Sequence, residues 1–242
     1  MLILLSPAKT LDFSSELPDN LTTSKPFFDK ESLKLVDILQ KYSVEDFGKL
    51  MSLSPKLADF NYQRFKNFPS QEERPAIFAY KGDVYKGFEL NKYTEEHLTF
   101  TNNSLRIISG LYGILKPLDL IKPYRLEMSI NLPNAKGKNL YYFWDNKITK
   151  KLEEEDDVII NLASQEYSSA IKAKNMINIT FKESHKGSYK IIGIHSKKAR
   201  GVMANWIMLN LIKDPESLKT FSLNGYKLSP QLSSDNEYVF IR

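Results

Sequence analysis

Hydrophobic residues fall along this chain in runs of two kinds. Residues 1–5 (MLILL) and 157–162 (DVIINL) are apolar without alternation, as in strands covered on both faces. Residues 105–109, 76–80, 176–181, 189–195 and 237–241 read as further strands, with 176–181 and 189–195 forming a hairpin across a polar turn at 182–188. Elsewhere helical spacing governs. Leu33, Leu35, Val36, Ile38 and Leu39 line one face of a helix over 31–42. Ser43 caps a short helix with Asp46 three residues on, and Ser54-Pro55 opens another with proline at its first position. Thr94 starts a helix with Glu95 and Glu96 in its first turn. Tyr141, Trp144, Ile148 and Leu152 predict a helix over 140–154, and residues 202–213 (VMANWIMLNLIK) an apolar one. Ser164 and Asp214-Pro215 begin two shorter helices. Phe60, Tyr62, Phe65 and Phe68 read as core aromatics. Strands and helices alternate to both ends without repeat, low-complexity tract or long linker, which predicts one α/β domain over residues 1–242.

Composition narrows the chemistry. There is no cysteine, which removes disulfides, thiolate metal sites, a cysteine nucleophile and thiol-based peroxide chemistry. Its absence fits a reducing cytosol. The apolar run at residues 2–5 is too short for a signal peptide or a membrane span, so a cytoplasmic protein is expected. The net charge of +5 suits an anionic partner wherever the bases cluster.

Four places hold such bases. Lys9 follows the first strand in the loop Ser6-Pro7-Ala8-Lys9-Thr10, where functional loops of α/β sheets gather. No glycine run precedes it, so the loop is not a Walker motif. Lys81 and Asp83 flank Gly82, either as a phosphate-binding or proton-transfer pair or as an exposed turn. The stretch 105–128 turns through Gly110 and Gly113 and carries Lys116, Lys122 and Arg125 beside Pro117 and Pro123. It reads either as a glycine-hinged anion site or as a tight crossover loop. Lys197, Lys198 and Arg200 sit in a loop before the apolar helix, where an incoming anion would relieve repulsion between the bases and the helix dipole. The three histidines have no metal-ligand spacing, and no nucleophile elbow, Rossmann fingerprint or zinc-deaminase signature occurs. No cofactor and no catalytic group is assigned.

These blocks together resemble the YaaA family of bacterial peroxide-stress proteins. The similarity lies in MLILLSPAKTL (1–11), FAYKGDVY (78–85), SGLYG (109–113), KPLDL (116–120), PYRLEM (123–128), NLAS (161–164) and KKARG (197–201), in the family's order along essentially the whole chain. The resemblance implies a single compact α/β domain of the family's own type, a mixed sheet with surrounding helices, neither Rossmann nor TIM. It implies a protein that binds DNA through a positively charged cleft and a helix-hairpin-helix element; the expected partner is double-stranded or structured DNA, and a monomer is expected. It also implies a role in the hydrogen peroxide response, limiting free iron and oxidative DNA damage. The hairpin is expected at residues 109–113, between the 105–109 run and a helix at 118–121. The phosphate contacts expected are Lys9, Lys81, Lys116, Lys122, Arg125, Lys197, Lys198 and Arg200, with backbone amides near Gly110 and Gly113. A rival reading stays open: an enzyme on a nucleotide or nucleic-acid substrate, using Lys9, Lys81, Asp83, Arg125 and Lys197 in a shared pocket. Iron binding by carboxylates has the least support in the sequence.

Overall fold

A computed structural model describes residues 1–242. In chain order the strands are β1 (Leu2–Leu5), β2 (Thr10–Leu11), β3 (Arg74–Pro75), β4 (Tyr80–Lys81), β5 (Leu105–Ser109), β6 (Gly113–Leu115), β7 (Leu120–Ile121), β8 (Ile159–Asn161), β9 (Met176–His185), β10 (Ser188–Lys190), β11 (Lys227–Leu228) and β12 (Glu237–Ile241). The helices are α1 (Asp29–Leu39), α2 (Val44–Met51), α3 (Pro55–Lys66), α4 (Ala76–Ala79), α5 (Glu95–Ser104), α6 (Leu140–Trp144), α7 (Lys147–Glu155), α8 (Gln165–Ser168), α9 (Gly193–Leu209) and α10 (Pro215–Leu218).

All four residues of β1 are buried, and the strand pairs in parallel with β5 on one side and β8 on the other. Covered on every side, it has no polar face to show, which is why the sequence shows no alternation there. The main sheet runs β11-β12-β9-β8-β1-β5-β6, with β10 paired to β9. Its five central strands are parallel, and β6, β10 and β11 add antiparallel edges. Two small antiparallel pairs, β2 with β4 and β3 with β7, stand apart from it. The protein is therefore a single α/β domain on a mixed eight-stranded sheet. No helix is long and apolar enough to cross a membrane.

Leaving β1, the chain places β5 on one flank and then returns to place β8 on the other. The strand order reverses between β1 and β8, and a crevice opens there at the carboxyl ends of parallel strands.

Capping residues behave as their chemistry dictates. Ser43 and Asp46 exchange hydrogen bonds at the start of α2, and Thr94 caps α5 with His97 as the reciprocal partner. Phe65 and Phe68 are buried, while Phe60 is exposed under the Arg64 guanidinium.

Four expectations are corrected. Residues 76–79 form a helical turn, because the Ala76 and Ile77 amides bond to the carbonyls of Asp119 and Pro117 and not to a neighbouring strand. The helix read over 140–154 breaks into α6 and α7 at Asp145, whose φ of 45° lies in the left-handed region. His195 and Lys197 to Arg200 lie inside α9 and not in a strand and loop. Ser-Lys-Lys-Ala-Arg suits a helix, and Gly201, which looks like a helix start or stop, is a mid-helix residue.

The last correction concerns residues 109–113. They form a β-hairpin between β5 and β6 with Ile107 opposite Leu115 and Ile108 opposite Ile114, so neither flank is a helix. Ser109 Oγ accepts hydrogen bonds from the Leu111 and Tyr112 amides, and Gly113 takes a φ of 70°. Downstream, residues 118–121 are too tightly bracketed by Pro117 and Pro123 to make a helix. Asp119 pins them by accepting from the Lys116 amide at 2.8 Å and Ser24 Oγ at 2.6 Å, and Leu120–Ile121 pairs with β3.

Candidate functional site

The crevice is a cavity of about 510 Å³. Its walls come from the loop after β1 (Ser6 to Thr10), residues 81–85, the loop after β8 running into α8, and α9. Four cations line it, Lys9, Lys81, Lys197 and Arg200, against two carboxylates, Asp83 and Glu166.

Two close backbone contacts fix α9 against the opposite wall. A Cβ on Gly201 would sit 1.8 Å from the Val84 carbonyl oxygen, and one on Gly87 would sit 2.5 Å from the backbone of Gly201. The helix therefore lies directly on the 3-10 turn Tyr85–Gly87. Lys197 and Arg200, three residues apart on α9, fall on the face turned to the cleft. Lys198 falls on another face and is exposed, outside the cavity. The floor is tied by Ser6 Oγ, which accepts from the Ser164 amide at 2.8 Å, and by Tyr85, whose hydroxyl donates to the Ser6 carbonyl at 3.0 Å.

The charges are unequally committed. Lys9 pairs with Glu127 at 2.9 Å and Lys81 with Asp12 at 3.2 Å. Asp83 faces Lys86 at 3.5 Å, and Glu166 accepts from the Ser129 hydroxyl and amide. Arg200 has no such partner: its Nε is buried with no acceptor. Burial alone pulls the pKa of its guanidinium below the ordinary arginine value, with no carboxylate to restore it.

Arg125 stands behind Lys9, and both bond to Glu127 Oε1, Arg125 through Nη2 at 3.0 Å. Residues 9, 81 and 125 thus converge. Glu127 is only 7% exposed. Its burial pushes the carboxyl pKa up, but the hydrogen bonds and charges of Lys9 and Arg125 outweigh burial and bring it below the ordinary 4.5. A depressed folded-state pKa contributes stability that is fully present above the unfolded value and is lost as pH falls through the folded one. Glu127→Gln should accordingly cost about 1–3 kcal/mol at pH 7 and lose less stability than the wild type between pH 5 and pH 3. Urea denaturation across that range reads the difference; parallel losses in the two proteins would refute the assignment.

The remaining expected residues lie elsewhere. Lys116 lines a separate cavity with Arg106 and Lys151. Lys122 lines another, where its Nζ donates to the Pro69 carbonyl at 2.9 Å and lies over the Phe68 ring. Gly110 and Gly113 are buried: a Cβ on Gly110 would meet the Leu126 carbonyl at 2.2 Å, and one on Gly113 would meet the Trp144 ring. Ser6 and Thr10, the hydroxyls of the loop expected after the first strand, line the cleft; sequence reasoning missed Glu166 and Tyr167 there, and Arg64, whose pKa is lowered by burial and then by the nearby Arg125. The only available signal was that the first two follow a buried strand. No group of three or more His, Asp and Glu side chains is placed to share a metal ion.

Fold and site together define a single-domain α/β protein with a cationic cleft at the carboxyl edge of its parallel strands. The family model for Peroxide stress protein YaaA matches residues 1–232, and the chain belongs to that family. The chain is also similar to a UPF0246 protein of Acaryochloris marina, 46% identical over 253 aligned positions. A UPF0246 protein of Crocosphaera subtropica is 46% identical over 254. In both cases 100% of each chain is covered.

Proposed function

We propose that this peroxide-stress protein binds DNA as a cytoplasmic monomer, gripping phosphates with the cleft, and that this binding serves to limit free iron and oxidative DNA damage. The observation that carries the reading is the convergence of Lys9, Lys81, Lys197 and Arg200, distant in sequence, on one cavity. Arg125 supports Lys9 from behind through Glu127. Lys198, exposed on α9, extends the positive face outward, and Lys116 and Lys122 offer outlying contacts. The cleft holds no array of planar amide side chains for reading base edges, so recognition by charge and shape is expected.

Each phosphate neutralised on duplex DNA steepens the log–log salt dependence by about 0.9. Replacing Lys9, Lys81 and Lys197 together by alanine should therefore flatten the slope by roughly 2–3 and weaken unrelated duplexes equally. Fluorescence anisotropy across a salt series measures this, with a thermal melt to show that the variant is folded. An unchanged slope in the folded variant would remove the cleft from the DNA site.

A second reading has its own support. The crevice lies at the switch point of parallel strands, the usual place of small-molecule chemistry in open α/β sheets. Turnover of a nucleotide by wild type, lost in the same triple variant, would favour an enzyme.

A further inference from the structure

We infer that the cleft is built for the phosphate monoester of a single nucleotide, with Arg200 as its anchor. The inference rests on the reading of the cleft as a nucleic-acid site and names what enters it. Three observations carry it.

The first is shape. The cavity of about 510 Å³ falls within the roughly 300–1,000 Å³ of small-ligand sites. A duplex can lay its phosphates along the rim of the cleft, but its convex surface does not fill such a hollow. One nucleotide, free or at a strand end, does.

The second is the state of Arg200. A buried guanidinium Nε without an acceptor costs free energy until an anion arrives. Arg200 lies in the cavity wall, and α9 holds it there through the Gly201 contact with Val84. An arginine fork suits phosphate oxygens, and paired N–H donors reward the exposed terminal oxygens of a monoester.

The third is charge. Lys9 and Lys81 are committed to Glu127 and Asp12, and Asp83 to Lys86. Lys197 and Arg200 are the two cleft cations without a carboxylate partner. A monoester carries about −1.5 to −2 at pH 7, whereas a diester carries a single charge. Two uncommitted cations therefore match the monoester. Beside them Pro7, Ala8, Val84 and Leu162 line the same cavity and suit the uncharged sugar and base.

The test compares one single-stranded oligonucleotide carrying a 5′-phosphate, the same strand with a 5′-hydroxyl, deoxyadenosine 5′-monophosphate and deoxyadenosine. With wild type, the 5′-phosphate should tighten oligonucleotide binding about tenfold or more, the fold-change of one charge-assisted hydrogen bond. Calorimetry should show the monophosphate, but not the nucleoside, binding saturably. Arg200→Gln should erase the ratio between 5′-phosphate and 5′-hydroxyl binding, whatever it takes from both strands in common, and Arg200→Lys should restore part of that ratio. Equal affinity for phosphate and hydroxyl ends, with no saturable monophosphate binding, would overturn the inference even if DNA still bound. Saturable monophosphate binding without any oligonucleotide binding would instead sink the DNA reading, keep the inference and identify a free nucleotide as the ligand. These comparisons use the wild-type protein, so they stand even if the variants fail to fold.

Discussion

Gly201→Ala is expected to destabilise the protein by at least about 3 kcal/mol, the upper end of what overpacking costs. In a chain of this length that is a fall in melting temperature of about 6–12 °C. The added Cβ would lie 1.8 Å from the Val84 carbonyl oxygen, and a backbone atom cannot rotate out of the way as a side chain can. The only relief is to lift α9 off the Tyr85–Gly87 turn, which also carries Lys197 and Arg200 away from Lys81. Ligand binding by the surviving folded fraction should drop with it. Gly193, the first residue of the same helix, is the control, since nothing lies within 4 Å of a Cβ built there. Gly193→Ala should be neutral or stabilising by up to about 1 kcal/mol. Differential scanning calorimetry of the two variants decides the matter; equal melting temperatures would mean that the helix does not rest on the turn as described.

Trp144→Ala should cost about 3–5 kcal/mol. Trp144 is fully buried, packs against Phe28 and Phe143, and covers Gly113. Its Nε1 donates to the Gly110 carbonyl at 2.9 Å, so truncation opens a cavity and leaves a buried acceptor unpaired. The variant also separates two roles for the 109–113 hairpin. As a core element it should leave the salt slope of DNA binding unchanged, measured at a temperature where the variant is folded. A slope flattened by about one contact or more would return the hairpin to the DNA surface.

What the sequence revealed and what it hid divide along a physical line. Strands β1 and β8 were legible because burial on all sides leaves an unbroken apolar run. The starts of α2, α5 and α10 were legible because capping is a local exchange of hydrogen bonds, and that of α3 because Pro55 takes its first position. The start of α9 was not. Gly201 reads locally as punctuation, and its reason for being glycine is Val84, more than a hundred residues away in the chain. The hairpin at 109–113 was misread for a similar cause: turn residues announce a turn but not the elements it joins. The candidate bases were visible as residue types, and the place of Lys9 followed from the strand before it; Lys81 comes beside it through the pairing of β4 with β2 and not from the strand read over 76–80. The sorting of Arg200 from Lys198 was hidden, because it depends on a helical phase that a supposed loop does not have. Glu127, which joins Lys9 to Arg125, carries no local mark of that role.

The pairing of β1 also bears on how the chain comes off the ribosome. Ile3 lies opposite Leu105 and Ile160. At about 5–20 residues per second, Ile3 is made roughly 8–30 s before Ile160. Both edges of LILL are open until β5 is made, and the edge that β8 will cover stays open for the whole interval. Folding dominated by such long-range parallel contacts is slow. Cells making this protein under oxidative stress would therefore draw on ribosome-bound chaperones early in each round of synthesis, before any ligand-binding surface exists.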